Sequence, residues 1–473
     1  MAYTPPSVKV TSIANNRIIN ISDDVRIPAI VGPGPTTRTI TDTPIARGSA
    51  NYDLLPTSGS AVTITKVASY PGASATDTRW SLNGAGVQKY YNTSGSTGSV
   101  YWSTSVVAGT NKPLLGETYY LSYTYPVPST QYDPQLFVDS SDVRAFYGGE
   151  TTLGIGTTGV GALTMGANLA LENGAPAVIC LQTNGTLTSA TTWSDAFAKL
   201  KKKDNIGYLV PLASGSSIKT VAHSAAILHV NQESAPSIGH EQSAILGAYN
   251  VMTVENIVTA TTAIDDNRVI YLVPGTSVTR TLSDGTVVPI DGAWIAAALA
   301  GLLTSQEKVI TPVTGKVITG FTIPDNQYEP YNMNRMAVNG ACIIAARSGV
   351  SKIRHALTTD PTSADTSEIS VVAADDLVRR ITRTKLTDRF VGKGIVIDDS
   401  TMAAVESTIA SIWGAMKRER LISNYGTKTD PTTGEVPISA NRDAAEPTKI
   451  NVTGAVQFLY PLNYINVEFF IYV

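Results

Sequence analysis

The sequence predicts an α/β fold, more broadly an α+β chain of several domains with a β-rich domain in its N-terminal half. Three observations predict it. Between residues 135 and 350, continuous apolar runs alternate with helical ones, the pattern of a mostly parallel sheet covered by helices. Between 60 and 130 the chain reads as strands and turns, and the segment INVEFFIYV at 465–473 alternates strictly between apolar and mixed positions, the period of a strand.

Taken in order, residues 1–20 read as a polar arm marked by proline (TPPSVKVTSI) with a short strand over Val8–Ile13, and 21–59 as a lead-in segment packing with the C-terminal domain. Residues 60–130 follow as the β-rich domain, in which Asn83-Gly84 supplies a turn between half-buried strands. The α/β domain spans 131–350. Its strands are APAVICLQT, NIGYLVPLA and RVIYLVPGT, and its helices are WSDAFAKLKKK, IKTVAHSAAILHV and GAWIAAALAGLL. A C-terminal domain over 351–460 opens with EISVVAADDLVRRITRTKLTDRF, read as a strand running into a helix. Its second helix shows Met402, Val405, Ile409, Ile412, Trp413 and Met416 at helical spacing. Asp399 and Ser400 are read as its cap, and Lys417, Arg418 and Arg420 place cations where the helix dipole favours them. Strands KINVTGAVQFLY and NYINVEFFIYV, joined around Pro461-Leu462-Asn463, end the pattern, with 461–473 as a terminal arm strand.

Composition excludes several function classes. The chain of 473 residues is 43% hydrophobic and 15% charged, with a net charge of −3, a globular composition without the basic surface that nucleic acid demands. MAYTPPS lacks a basic and apolar leader, and the apolar run Ala293–Leu303 is shorter than the roughly 20 residues that span a bilayer. A soluble, cytoplasmically made protein with no membrane insertion is the expectation. Cys180 and Cys342 sit in separate apolar runs and imply no disulfide framework.

Catalytic patterns are sparse. GIGTTG, Gly154–Gly159, has the spacing of a phosphate-cradling loop, yet it follows polar YGGETTL and lacks an acidic residue at the distance that would hold a ribose. His223, His229, His240 and His355 stand at no metal-ligand spacing. His240-Glu241 reads as a surface loop pair, and Asp265-Asp266, Asp375-Asp376 and Asp398-Asp399 as solvated or capping acids. No cofactor, metal or catalytic residue is expected.

The second half of the chain resembles the contractile tail sheath proteins of bacteriophages and related injection machines. The segments that carry the resemblance, in order, are GAWIAAALAGLLTSQEKVITPVTGKVITGF (292–321), VSKIRHALTTD (350–360), EISVVAADDLVRRITRTKLTDRFVGK (368–393) and YPLNYINVEFFIYV, with PLLGETYYLSYTY agreeing more weakly upstream. The arginine that members often carry after the Ala-rich helix is absent from LLTSQEK. The resemblance implies a structural subunit, not an enzyme. It polymerises around a tail tube in an extended state and contracts to drive the tube through a target envelope.

The implied partners are other copies of the chain in stacked rings, the tail tube protein, and baseplate and tail terminator proteins; the implied location is the virion tail, assembled in the host cytoplasm. The resemblance also implies that terminal arms exchange strands between neighbours, which assigns that role to Val8, Val10, Ile13, Ile465, Val467, Phe469, Ile471 and Val473. Burying the five apolar residues of 465–473 returns about 7 to 15 kcal/mol. Ordering nine residues costs about 9 to 18 kcal/mol, so main-chain bonds along a neighbour's sheet edge are needed as well. Because donor and acceptor edges differ, such contacts propagate and do not close as a two-fold dimer. Lys417, Arg418 and Arg420 are candidates for a tube-facing surface. Two alternatives remain open: an α/β enzyme holding a phosphorylated ligand at Gly154–Gly159, and a self-assembling particle protein that does not contract.

Overall fold

The structure is a computed structural model and describes residues 26–48, 52–54, 63–73, 90–92, 99–102, 113–150, 161–248 except 202 and 204, 252–274, 277–426 except 307 and 309, 429–430, 434–435 and 437–460. The chain forms two compact units, one from residues 1–34 and 132–473, the other from 35–131. The first described strand, β1 (Ile27–Gly32), is apolar and wholly buried, and it belongs to the larger unit. The lead-in expected over 21–59 is therefore divided between the units. Its first part enters the large sheet between the strands Val178–Gln182 and Ile206–Pro211, and its second part opens the smaller unit.

The smaller unit is built of β2 (Thr37–Ala46), β3 (Tyr52–Leu54), β4 (Thr63–Ala68), β5 (Tyr90–Asn92), β6 (Ser99–Trp102) and β7 (Thr118–Pro126). β7 lies between β2 and β4, antiparallel to both, and carries Tyr119, Leu121 and Tyr123 into a core shared with Ile45, Ile64 and Val67. Alternation along β7 is the reason: Tyr119, Leu121 and Tyr123 on one side are fully buried, while Tyr120 and Thr124 on the other are partly exposed. The two ends of the unit are tied by Gln131, fully buried, whose amide donates to the Pro35 carbonyl (3.2 Å) and accepts from Arg38 Nη2 (2.8 Å).

In the larger unit follow β8 (Gln135–Phe137), α1 (Ser140–Tyr147), α2 (Ala162–Glu172), β9 (Val178–Gln182), α3 (Ala190–Ala198), β10 (Ile206–Pro211), α4 (Ser216–Glu233), β11 (Ser243–Gly247), α5 (Val254–Ile264) and β12 (Val269–Val273). Then come the hairpin β13 (Val278–Thr281) and β14 (Val287–Ile290), α6 (Gly292–Thr304), α7 (Pro330–Val338), β15 (Ala341–Arg347) and β16 (Val350–His355). Eight strands make one sheet in the order β16, β15, β12, β11, β10, β1, β9, β8, parallel except for its two edge strands. The sheet thus runs past residue 350, the expected domain boundary, because β16 pairs back onto β15. Its central strands are buried on both faces, which is why they read as unbroken apolar runs. One face is covered by α1, α2 and α6, the other by α3, α4, α5 and α7.

The close packing of α2 on α6 rests on Gly301. A Cβ there would run into the Ala170 carbonyl oxygen and lie 2.7 Å from Ala170 Cα, so the Ala- and Gly-rich sequence of α6 lets two helix backbones touch. At the other end of α6 lies the buried ion pair Lys219–Asp291 (3.2 Å), with Lys219 Nζ also donating to the carbonyl of Ala248 (2.6 Å). Asp291 caps α6 by accepting from Ala293 N (2.9 Å).

The rest of the unit consists of α8 (Ala364–Ser367), α9 (Ile369–Phe390), α10 (Asp399–Arg418) and short strand pairs. Ser370-Val371-Val372, expected as a strand, is the first turn of α9. Burial on nearly all sides removes the amphipathic signal there, and tertiary packing overrides the β preference of the paired valines. α10 presents the expected stripe, with Val405, Ile409, Ile412, Trp413 and Met416 buried against Leu377, Ile381 and Leu386 of α9. Its cap is Asp398, one residue before the expected pair, accepting from Thr401 N at 2.7 Å. Four two-residue strands, β17 (Asn424–Tyr425), β18 (Thr429–Asp430), β19 (Gly434–Glu435) and β22 (Val456–Gln457), and two longer ones, β20 (Ser439–Arg442) and β21 (Ile450–Thr453), complete it. β17 pairs with β22, β18 with β19 and β20 with β21, all antiparallel.

Candidate assembly interface

α9 carries charge to the base of the large sheet. Asp376, fully buried, pairs with Arg268, which immediately precedes β12, and lies 3.7 Å from Arg26, which immediately precedes β1. Burial by itself lowers the affinity of the Arg268 guanidinium for its proton, but Asp376 beside it raises the balance above the ordinary value. Two turns along α9, Arg383 pairs with the buried Glu241 just before β11 and donates to the Gly239 carbonyl at 2.7 Å. A third tie joins His355 Nε2, at the end of β16, to Glu368 Oε1 (2.6 Å) at the cap of α9. The helix therefore lies across the N-terminal ends of three sheet strands, and the residues holding it are drawn from sequence positions more than a hundred apart.

These contacts correct two expectations. Glu241 is buried and ion-paired and does not belong to a surface loop pair; its neighbour His240 turns to Glu233 (Nδ1 to Oε2, 3.2 Å). Asp376 is likewise buried between arginines, and only its neighbour Asp375 fits the surface reading, pairing with Arg379 one turn on. Adjacent acids point to different sides of a helix, so one dipeptide holds both environments.

Little in the described residues suggests chemistry. Burial pushes His223 down to about 3, helped by Lys219, and His229 down to about 4, so both are neutral imidazoles. Burial also raises the thiols, Cys342 to about 12 and Cys180 further. Among the described residues no group of three or more His, Cys, Asp or Glu is placed to hold a metal ion, and no helix is long and apolar enough to cross a membrane. The Gly154–Gly159 loop lies outside the described residues.

Of the expected assembly residues, Val8, Val10, Ile13, Ile465, Val467, Phe469, Ile471 and Val473 lie outside the described residues. Lys417, Arg418 and Arg420 are described, and all three are exposed at the end of α10. Lys417 Nζ donates to Asn424 Oδ1 (2.9 Å), and Arg420 adopts a left-handed φ of 56° that turns the chain away from the helix. Lys308 joins this end by donating to the Glu419 carbonyl (3.3 Å). Sequence reasoning missed it because it lies 111 positions upstream, and only the tertiary structure, with Ile310 packed against the core of α9 and α10, brings it there.

No protein-family model matches the chain. It is 26% identical over 361 residues to the tail sheath protein of Mycobacterium phage Bxz1, a match covering 75% of this chain and 58% of the relative. It is 24% identical over 291 residues to a putative tail sheath protein of Enterococcus phage phiEF24C, covering 59% and 46% respectively. The chain thus spans about half the length of the curated relatives it matches. Among solved structures, the helical sheath of the anti-feeding prophage in its contracted state shares the fold along 99% of both chains, with a TM-score of 0.57 at 10% identity.

Proposed function

We infer that this chain, which belongs with the contractile tail sheath proteins by sequence and by fold, is a structural subunit of a contractile sheath. It assembles as stacked rings around a tail tube, joined to a baseplate below and closed by a terminator protein above, in an extended state that shortens and widens to drive the tube through an envelope. The observation that carries this reading is the combination of a sequence match to a phage tail sheath protein over 361 residues with a sheath fold along 99% of the chain. The expected setting is a virion tail assembled in the host cytoplasm.

Contraction of this kind asks subunits to move as rigid bodies about pliable connections. The buried charges between α9 and the large sheet suit that demand, since they hold the C-terminal helices to the body from which the N-terminal residues lead. Arm residues Val8–Ile13 and Ile465–Val473 are the proposed connections between copies. The exposed cations Lys417, Arg418 and Arg420, with Lys308 beside them, are the proposed tube-facing group, matched to an acidic tube exterior.

Electron microscopy of the purified protein tests the reading: hollow tubes or rings are expected, and small uniform oligomers at every concentration would overturn it. Reversing charge with Lys417→Glu, Arg418→Glu and Arg420→Glu is expected to weaken co-assembly with the tube while tubes of sheath alone still form. Unchanged co-assembly would remove the tube-facing role.

A further inference from the structure

The large sheet ends on two edges of opposite charge. β16 forms one of them, and its outer main chain is already occupied: Gly315 N donates to the Ile353 carbonyl (2.7 Å), Ile353 N to the Lys316 carbonyl (3.0 Å) and Ile318 N to the Ser351 carbonyl (3.1 Å). Ser351 and Ile353 turn inward, so Val350, Lys352 and Arg354 turn to the other side of the strand. Arg354 reaches Asn334 on α7. Tyr331 and Val338, three residues before Asn334 and four after it, share its side of that helix, and each is 73% exposed. Arg347 and Lys352 are exposed as well, and among the described residues neither is ion-paired. The acids nearby are Asp325, which accepts from Ser348 N (2.8 Å) and Gly349 N (3.1 Å), Glu255, answered by Arg335, and Glu329 at the cap of α7. Lys316, Arg335, Arg347, Lys352 and Arg354 outnumber them, and this edge is basic.

β8 forms the other edge. It is three residues long and follows Pro134, which has no N–H to offer a further strand. Phe137 turns into the core, while Leu136 and Val138 turn out and are 60% and 65% exposed. Asp133 and Asp139 flank the strand, and Asp142 follows on α1. Asp195 lies one turn before Lys199 at the end of α3, and Lys199 joins that helix to this edge by pairing with Asp133 (3.1 Å). Asp142 and Asp195 are exposed and, among the described residues, not ion-paired. Against these acids stand Lys199 and Arg144, and this edge is acidic.

Each edge thus sets protruding apolar side chains among charges of mainly one sign, the make-up of a contact surface, and the two signs are complementary. Eight strands at about 4.8 Å spacing hold the edges about 34 Å apart within one chain, so they meet only between copies. We propose that the β8 edge of one copy docks on the β16 and α7 edge of the next. Leu136 and Val138 then meet Tyr331 and Val338, and Asp142 and Asp195 meet Arg347 and Lys352. Opposite charge steers the encounter and fixes its register. Because the two surfaces differ, the contact is heterologous and repeats from copy to copy. The proposal rests on the sheath reading and adds to it a contact made by side chains at the ends of the large sheet, separate from the terminal arms.

Charge exchange tests the pairing. Arg347→Glu with Lys352→Glu makes both edges acidic, and Asp142→Lys with Asp195→Lys makes both basic. Each variant alone is expected to lose tubes and rings, read by electron microscopy and sedimentation, while still melting cooperatively near the wild-type temperature, since all four residues are exposed. Mixed in equal amounts, the two variants should assemble together, because every acidic edge then finds a basic one. A single chain carrying all four substitutions should assemble by itself. Normal tubes from either variant alone would overturn the proposal, as would lost assembly that neither the mixture nor the fourfold variant restores; wild-type tubes beside either result leave the sheath reading standing. Wild-type protein that makes only short oligomers, which the same substitutions abolish and the mixture rebuilds, would do the reverse.

Discussion

Replacing Asp376 with asparagine removes one charge from the junction between α9 and the sheet and alters almost no volume. The side chain is fully buried, and the two guanidiniums beside it, Arg268 and Arg26, are each 8% exposed. Removing one partner of a buried ion pair leaves the other charge uncompensated, a loss of about 3 to 5 kcal/mol. Equilibrium unfolding in urea reads this directly, with fluorescence reporting through the buried Trp413 against α9. At a slope near 3 kcal/mol per molar urea, the midpoint falls by about 1 to 2 M. Because the cluster is buried, added salt should recover little of the loss. The companion variant Arg268→Met with Asp376→Leu removes the pair together and should be less damaging than the sum of its parts, by about 0.5 to 3 kcal/mol. A midpoint that moves by less than about 0.3 M in Asp376→Asn, or additive behaviour in the double variant, would show that apolar contacts and not charge hold α9 in place.

Gly301→Ala forces α2 and α6 apart and should cost about 1 to 3 kcal/mol, read as a lowered urea midpoint; full stability would mean the helix contact relaxes freely. Gly454→Ala presses a methyl group onto the Trp413 ring and is expected to shift the tryptophan emission and destabilise by a similar amount, which an unchanged spectrum would contradict. His229 is held at about 4, below its ordinary 6.5, chiefly by burial. As pH falls below 6.5 the unfolded chain takes up the proton first, so the stability present above that value is lost toward pH 4, by about 2 kcal/mol at pH 5. His229→Gln should flatten the change in midpoint between pH 7.5 and 5 by that amount, and an undiminished slope would mean that the imidazole charges without unfolding.

The parts of the fold legible in the sequence are those whose pattern is local. The strands around Cys180, Leu209 and Leu272 are unbroken apolar runs because both faces are covered, and the stripe of α10 repeats at the helical period because only one face is. The start of α9 was misread for the opposite reason: when every side is buried, periodicity carries no information. The charges at Glu241 and Asp376 were misread because adjacent-residue rules describe an isolated helix or loop, whereas their partners come from strand ends far along the chain. The basic group at the end of α10 was legible in part, through Lys417, Arg418 and Arg420, and incomplete without Lys308.

By itself the sequence determined the apolar strands around Cys180, Leu209 and Leu272, the amphipathic helix α10, the alternation of 465–473, and the resemblance that points to a sheath, since these depend on residue order alone. Only the tertiary structure decided that β1 lies inside the sheet between β10 and β9 and that α9 is keyed to the sheet by buried charge. The reason is physical. A segment's period reports which of its faces avoid water, but the direction of a main-chain N–H and the partner of a buried charge depend on what has been folded beside it.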